Sequence, residues 1–345
     1  MNKSKVWLIV SILCIVVGAA MLLGSGVRSG EDLGWLLQSA GAAEMQEEKT
    51  VEVTESFHSL YVLESSSDIK LLPAGDGRCR VVYGETEYSH CTVSVKDGTL
   101  SVTREELSNV RRGLILYSKS IPLRIYLPAG SYENLEILIS SGDVEVDRGF
   151  SWDSAKIESG SGDIELQSLD AGTLRLGSTN GDIKTEELQA ESLQVDTGSG
   201  DMELRRCSLG SLSLGSTSGE QTLKDCSVDG AAALSTGSGD ITLEDCTVGS
   251  LSVSGTSSEV RLTKTDCGES IKVSTGSGDI RLRDIRAESY DLSSTSGDVK
   301  GILRGSVDFM IETTSGSIRT RGGVRGAAPC QVHTASGDVD LEAGS

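Results

Sequence analysis

The segments SSGDV (140–144), GSGDI (160–164), TNGDI (179–183) and GSGDM (198–202) open a series that decides the fold. It continues through TSGEQ (217–221), GSGDI (237–241), TSSEV (256–260), GSGDI (276–280), TSGDV (295–299), TSGSI (314–318) and ASGDV (335–339). The marker glycine, replaced once by Ser258, recurs every 19 to 21 residues. A unit that short cannot enclose a core of its own. It must stack on its neighbours as a solenoid.

Working outward from each glycine, apolar residues alternate with polar ones. Ile164 and Leu166, Met202 and Leu204, Ile241 and Leu243, and Ile280 and Leu282 follow it at the second and fourth positions. Leu174 and Leu176, Leu193 and Val195, Leu212 and Leu214, and Ile271 and Val273 precede it at the seventh and fifth. A period of two marks short strands with one buried face. The residues between the strands are turn formers: Gly accepts positive φ, and Asp bonds its own backbone. This assigns a structural turn role to Gly142, Asp143, Gly162, Asp163, Gly181, Asp182, Gly200, Asp201, Gly239, Asp240, Gly278, Asp279, Gly297, Asp298, Gly337 and Asp338. No proline lies between Pro128 and Pro329, so every repeat is free to donate ladder hydrogen bonds. Coils of this kind stack roughly 4.8 Å apart. GSGD phrases also alternate with TNGD, TSGE, TSSE and TSGD phrases, which leaves open whether one turn uses one repeat or two.

Composition agrees with a narrow interior of Val, Ile and Leu. Of 345 residues 37% are hydrophobic but only 4% aromatic, and 41 are glycine. The formal net charge is −20, with 51 acidic residues against 31 basic ones. That balance excludes a nucleic-acid partner, which needs a basic footprint.

The chain divides into a cytoplasmic tail (1–5), an apolar run VWLIVSILCIVVGAAMLL (6–23), a linker (24–55), a β-rich N-terminal cap (56–130) and the repeats (131–345). The run is just long enough to span a bilayer, and Lys3 and Lys5 before it place the N-terminus inside. It reads as a transmembrane signal anchor, with a cleaved signal peptide as the rival. In the cap, SSSDIKLLP (65–73) looks like a degenerate first coil, and KDG (96–98) is a hairpin signal between alternating strands. The last repeat is followed by no obvious cap. Its edge is either covered by a partner, or by a second copy, or weakly protected by Glu342. The fold class is therefore all-β: a single-stranded parallel β-solenoid of about 19–20-residue repeats, capped at its N-terminal end and preceded by one transmembrane helix.

Few residues point to chemistry. Cys207, Cys226, Cys246 and Cys267 read as one interior ladder, because neighbouring repeats place Leu169, Leu188 and Ile285 there. Cys79 and Cys91, which each open an alternating strand, are the better disulfide candidates. The carboxylate row could hold calcium, but Glu220 and Glu259 substitute freely in it, and Asx-turn formation fits better. Phe150 and Trp152 are either a contact pair or large core fillers near the cap. His58, His90 and His333 share no motif with a nucleophile. No catalytic residue, cofactor-binding residue or metal ligand is assigned, and the chain is not read as an enzyme.

The anchor, the IYLP segment (125–128), LEILISSGDVEV (135–146) and the SGD repeats together resemble the LiaG-like putative adhesin family of Gram-positive bacteria, a domain family of unknown function. The resemblance covers residues 56–345 and rests on structural motifs. It implies a β-solenoid and a role in the cell envelope. The expected protein is a single-pass membrane protein with its C-terminal domain extracellular. It would act as a contact surface for an unknown envelope or surface ligand, or as a self-assembling or sensor-docking scaffold, with a carbohydrate-active β-helix enzyme as the remaining alternative.

Overall fold

A computed structural model describes residues 47–86, 89–106 and 121–344. The anchor (6–23), the tail (1–5) and most of the linker lie outside the described residues. Among the described residues no helix is long and apolar enough to cross a membrane.

Each repeat makes one coil. The short strand after the turn, Ile164–Gln167, pairs in parallel with Ile183–Glu186, with Ile164 opposite Ile183. The longer strand before the turn, Asp170–Ser178, pairs in parallel with Gln189–Thr197, with Leu174 opposite Leu193. Residues one repeat apart are therefore direct neighbours, and one turn consumes one repeat. The short strands collect in one 15-stranded sheet and the long strands in another. Their alternating apolar residues meet between the sheets, where Ile164, Leu166, Leu174 and Leu176 are buried.

Coils do not stack in chain order at either end. At the C-terminal end the last repeat, Ala328–Thr334 with Val339–Gly344, pairs against Ser289–Ser294 and Val299–Arg304. The preceding repeat, Val307–Thr313 with Ile318–Arg321, lies outside it as the last coil of the stack. Repeat 335–341 is thus interior, and the uncovered edge belongs to residues 307–321, which corrects the expectation of an edge at the final repeat. The corner 322–327 is the device: it is longer than two-residue corners such as Ser168–Leu169, and it steps the chain back inward.

The N-terminal end shows the same exchange. Thr99–Glu106 and Leu123–Leu127 stack in parallel outside Ser59–Glu64 and Ile69–Pro73, which follow them inward. Antiparallel strands then close the stack: Ser89–Lys96 on Thr99–Glu106, and Cys79–Glu85 on Leu123–Leu127. Glu47–Val53 adds to Cys79–Glu85, so residues 47–53 belong to the sheet and not to a linker. The KDG hairpin forms as read, with Asp97 and Gly98 both at positive φ.

A buried ion pair ties the cap to the first coil. Arg104 Nε donates to Glu64 Oε2 at 2.8 Å, and its Nη1 donates to Gly84 O and Ser89 Oγ at 2.9 and 3.1 Å. Both side chains are almost wholly out of water. One arginine therefore joins four strands.

Candidate functional site

The repeated turn builds structure, and three interlocking contacts explain its sequence. The first is a hydroxyl three residues before the glycine. Ser159, Ser178, Thr197, Thr236, Thr275, Ser294 and Thr313 each accept the amide of Gly162, Gly181, Gly200, Gly239, Gly278, Gly297 and Gly316 respectively, at 2.8 to 3.1 Å. These hydroxyls are buried or half-buried, so the bond satisfies groups that would otherwise be costly inside. The signal, Ser or Thr at a constant offset from glycine, was present in the sequence but not read as part of the turn.

The second contact concerns the glycines. Their φ is not left-handed, apart from Gly142 at 150°. The reason for glycine is steric instead. A Cβ on Gly181 would lie 2.0 Å from Gly162 O, and one on Gly200 1.8 Å from Gly181 O. Successive turns sit too close for a side chain at these glycines.

The third contact corrects the role of the carboxylates. They do not close Asx turns on their own backbone; they bridge coils. Asp163 N–H donates to Asp143 Oδ1, Asp182 to Asp163 and Asp201 to Asp182, at 2.8 to 2.9 Å. Glu220, Glu259, Asp298 and Asp338 amides donate likewise to Asp201, Asp240, Asp279 and Asp298. Neither Glu220 nor Glu259 passes the bond on, because its extra methylene carries the carboxylate past the next amide. Among the described residues no group of three or more His, Cys, Asp or Glu could hold a metal ion.

The cysteine ladder is shorter than read. Cys207, Cys226 and Cys246 each follow a residue held at positive φ, namely Arg206, Asp225 and Asp245, at the second corner of the coil. In the next coil that position is Thr265, after Lys264. Cys267 instead stands opposite Val248, one inward position further on. The offset follows from counting: Thr265 is seven residues after Ser258, as Cys246 is seven after Gly239. All seven described cysteines are buried and free, Cys79 and Cys91 included. Cys79 is in one sheet and Cys91 in the other. The Cys226 thiol and then burial push Cys207 far up, and burial raises Cys330 to about 12. Cys207, Cys226, Cys246 and Cys267 donate their buried thiols to backbone carbonyls.

The capped end carries the candidate contact site. Phe57, Tyr132 and Trp152 form a continuous stack, with centroids 6.0 Å and 4.8 Å apart. Trp152 and Phe150 are buried, so of the two readings the core fillers hold. The parallel register sets the stack, since Trp152 stands directly opposite Tyr132. Beside it lies a cavity of about 450 Å³ lined by Glu52, Glu55, Phe57, Arg78, Pro128 and Tyr132, among others. Tyr132 donates its hydroxyl to Pro128 O at 2.7 Å, and burial raises its pKa to about 12. The Tyr132 ring stacks between Phe57 and Trp152. The cavity offers the Glu52 and Glu55 carboxylates, the Arg78 guanidinium, the hydroxyls of Thr54 and Ser56, and apolar groups.

Solved structures of similar fold include a "putative adhesin" from Bacteroides fragilis, 16% identical, covering 76% of this chain and 100% of that one, with a TM-score of 0.38. A "putative adhesin" from Parabacteroides distasonis is 14% identical, covering 87% and 98%, with a TM-score of 0.43. A "putative lipid binding protein" from the same organism is 13% identical, covering 86% and 97%, with a TM-score of 0.29. Likenesses at those scores carry no argument about what this chain does. No curated protein matches it. The family described as Toastrack DUF4097 matches residues 57–244 and 228–344, which together span the coils and most of the cap, and the chain belongs to that family.

Proposed function

We propose that the chain is a non-enzymatic, LiaG-like contact protein of the bacterial envelope. Residues 6–23 would anchor it in the membrane as a single pass, with the β-solenoid outside the cell. One observation carries this reading: the repeated polar groups are engaged in structural hydrogen bonds, the Asp carboxylates from coil to coil and the Ser and Thr hydroxyls within their own turn. A row of carboxylates bonded to the next coil's amides is a scaffold, and it gives the repeated acids a structural role. Contact with an envelope or surface ligand falls to the cavity between Phe57, Arg78 and Tyr132.

The test is retention of the full chain on cell envelopes, compared with Arg78→Glu and Glu55→Lys variants. Retention that either substitution weakens supports the reading. Equal retention of all three removes the cavity as the contact site, and turnover of envelope polysaccharide would remove the non-enzymatic reading.

A further inference from the structure

The outermost coil at the C-terminal end leaves the solenoid interior open. In strand Ile318–Arg321, Ile318 and Thr320 stand opposite the buried Val339 and Leu341, so they face inward. Both are nevertheless exposed, because no further coil covers them among the described residues. In strand Val307–Thr313, Phe309 and Ile311 stand opposite the buried Cys330 and Val332, and they are only half-buried. The large exposed apolar side chains of the described chain are Leu63, Ile302, Met310, Ile318 and Val324. Ile318, Met310 and Val324 belong to the outermost coil and its corner, and Ile318, Phe309 and Ile311 are the inward-facing ones left uncovered. Inward-facing apolar residues left open together mark an interaction surface.

Charge indicates what covers it. The chain is strongly acidic overall, yet this end presents Arg319, Arg321 and Arg325, all exposed. Arg319 and Arg325 have no ion-pair partner among the described residues. Arg319 and Arg321 lie on the outward face of one edge strand, and Asp308 and Glu312 on the outward face of the other. The two edges are thus opposite in sign, and both offer unpaired backbone groups.

We propose that this end is a self-complementary interface that joins two copies of the chain end to end with two-fold symmetry. Because the chain reverses at each corner, strands of the two sheets run in opposite directions. A two-fold axis parallel to the strands sets Ile318–Arg321 of one copy antiparallel against Val307–Thr313 of the other. Both sheets then continue from copy to copy. Arg319 and Arg321 meet Asp308 and Glu312 of the second copy, while Ile318, Phe309 and Ile311 close a shared interior. The alternative axis, perpendicular to the sheets, would oppose Arg319 and Arg321 to their own equivalents and is disfavoured by like-charge repulsion. An isologous contact of this kind closes on itself. The other end of the described stack is closed by antiparallel strands, so it does not present the same edge.

The test is the mass of the full chain by light scattering in mild detergent, across concentration and salt. The wild type should dimerise, more weakly as salt rises. Arg319→Glu with Arg321→Glu in one chain, or Glu312→Arg in another, should each weaken the dimer at least about 10-fold. Mixed together, those two variants should form a heterodimer, because one of its two edge contacts regains the wild-type charges and the other sets the two reversed positions against the introduced arginine. Circular dichroism checks that each variant retains its β structure. A wild type that stays monomeric at hundreds of micromolar overturns the proposal, as does open-ended growth. So does a dimer indifferent to the substitutions, or a mixture that recovers nothing.

Discussion

A Cβ placed on Gly255 would lie 2.7 Å from both Cβ and Oγ of Ser258. In the other coils from Gly162 onward the first of these positions is Ser or Thr and the second Gly; here the two are exchanged. The Ser258 side chain occupies the space that the missing side chain at Gly255 leaves. Ser258 Oγ is fully buried without a hydrogen-bond partner, so the exchange is sterically compensated but electrostatically costly. Gly255→Ser alone should destabilise by about 1–3 kcal/mol through overpacking. Ser258→Gly should be near neutral, and the double variant should restore the regular turn and equal or exceed the wild type. Urea unfolding of the three variants measures this, and simple additivity of the two single effects would contradict it.

The aspartate ladder breaks after Glu220. Glu220→Asp should extend it by one bond, to the Asp240 amide, and stabilise by about 0.5–1.5 kcal/mol. Asp182→Ala should cost a similar amount by removing the acceptor for Asp201 N–H. Chemical denaturation of both variants checks the sign, and a destabilising Glu220→Asp would reject the ladder as a source of stability.

At the capped end, replacing Glu64 by Gln leaves Arg104 buried with a weaker partner. Removing one member of a buried pair costs about 3–5 kcal/mol when the other charge stays uncompensated. The loss should concentrate in strands Cys79–Glu85 and Ser89–Lys96, which Arg104 Nη1 reaches through Gly84 O and Ser89 Oγ. Hydrogen exchange by residue reads it out: faster exchange there than in the central coils is expected, and uniform acceleration is not.

Acid should weaken the carboxylate bonds at the opposite end. Lys300, and then the Asp338 amide, lower the Asp298 pKa below the ordinary 3.8, and the Ser317 amide lowers that of Asp338. A carboxyl with a lowered folded pKa contributes stability that is present above about pH 4 and fades as pH falls through its folded value. Asp338 is exposed and Asp298 half-buried, so screening by solvent keeps the effect small. Exchange of the Ser317 and Asp338 amides should accelerate below pH 4, and Asp298→Asn should flatten the response at Asp338.

Cys207, Cys226 and Cys330 should resist alkylation at neutral pH in the folded chain and react fully in denaturant. Burial withholds both the thiolate and the approach of reagent. Mass spectrometry after timed labelling decides it, and rapid folded-state labelling of Cys207 would contradict the packing described.

Much of this was legible in the sequence. Inward positions such as Ile164 and Leu176 followed from period-two alternation, because a strand's side chains must alternate whatever lies next to it. The Ser and Thr column three before glycine was equally regular, and went unread because glycine was explained by dihedral freedom instead of close approach. Cys267 was misplaced because it is the next cysteine in order, whereas position in a coil is measured from the glycine. The stack of Phe57, Tyr132 and Trp152 had no local signal. It joins residues distant in sequence that register alone brings together.

Periodicity by itself determined the fold class, the buried face of each strand and the position of each turn. These depend only on the chemistry within one repeat and the geometry of a strand. Tertiary structure decided that one turn uses one repeat, that the Asp side chains bridge coils, and that the coils at both ends change places. Coils of nearly equal length with Val, Ile and Leu interiors fit one another almost anywhere in the stack, so local sequence carries little information about their order. Corner length and the reach of 322–327 select the order, and that selection leaves Phe309, Ile311 and Ile318, and not the final repeat, at the open end.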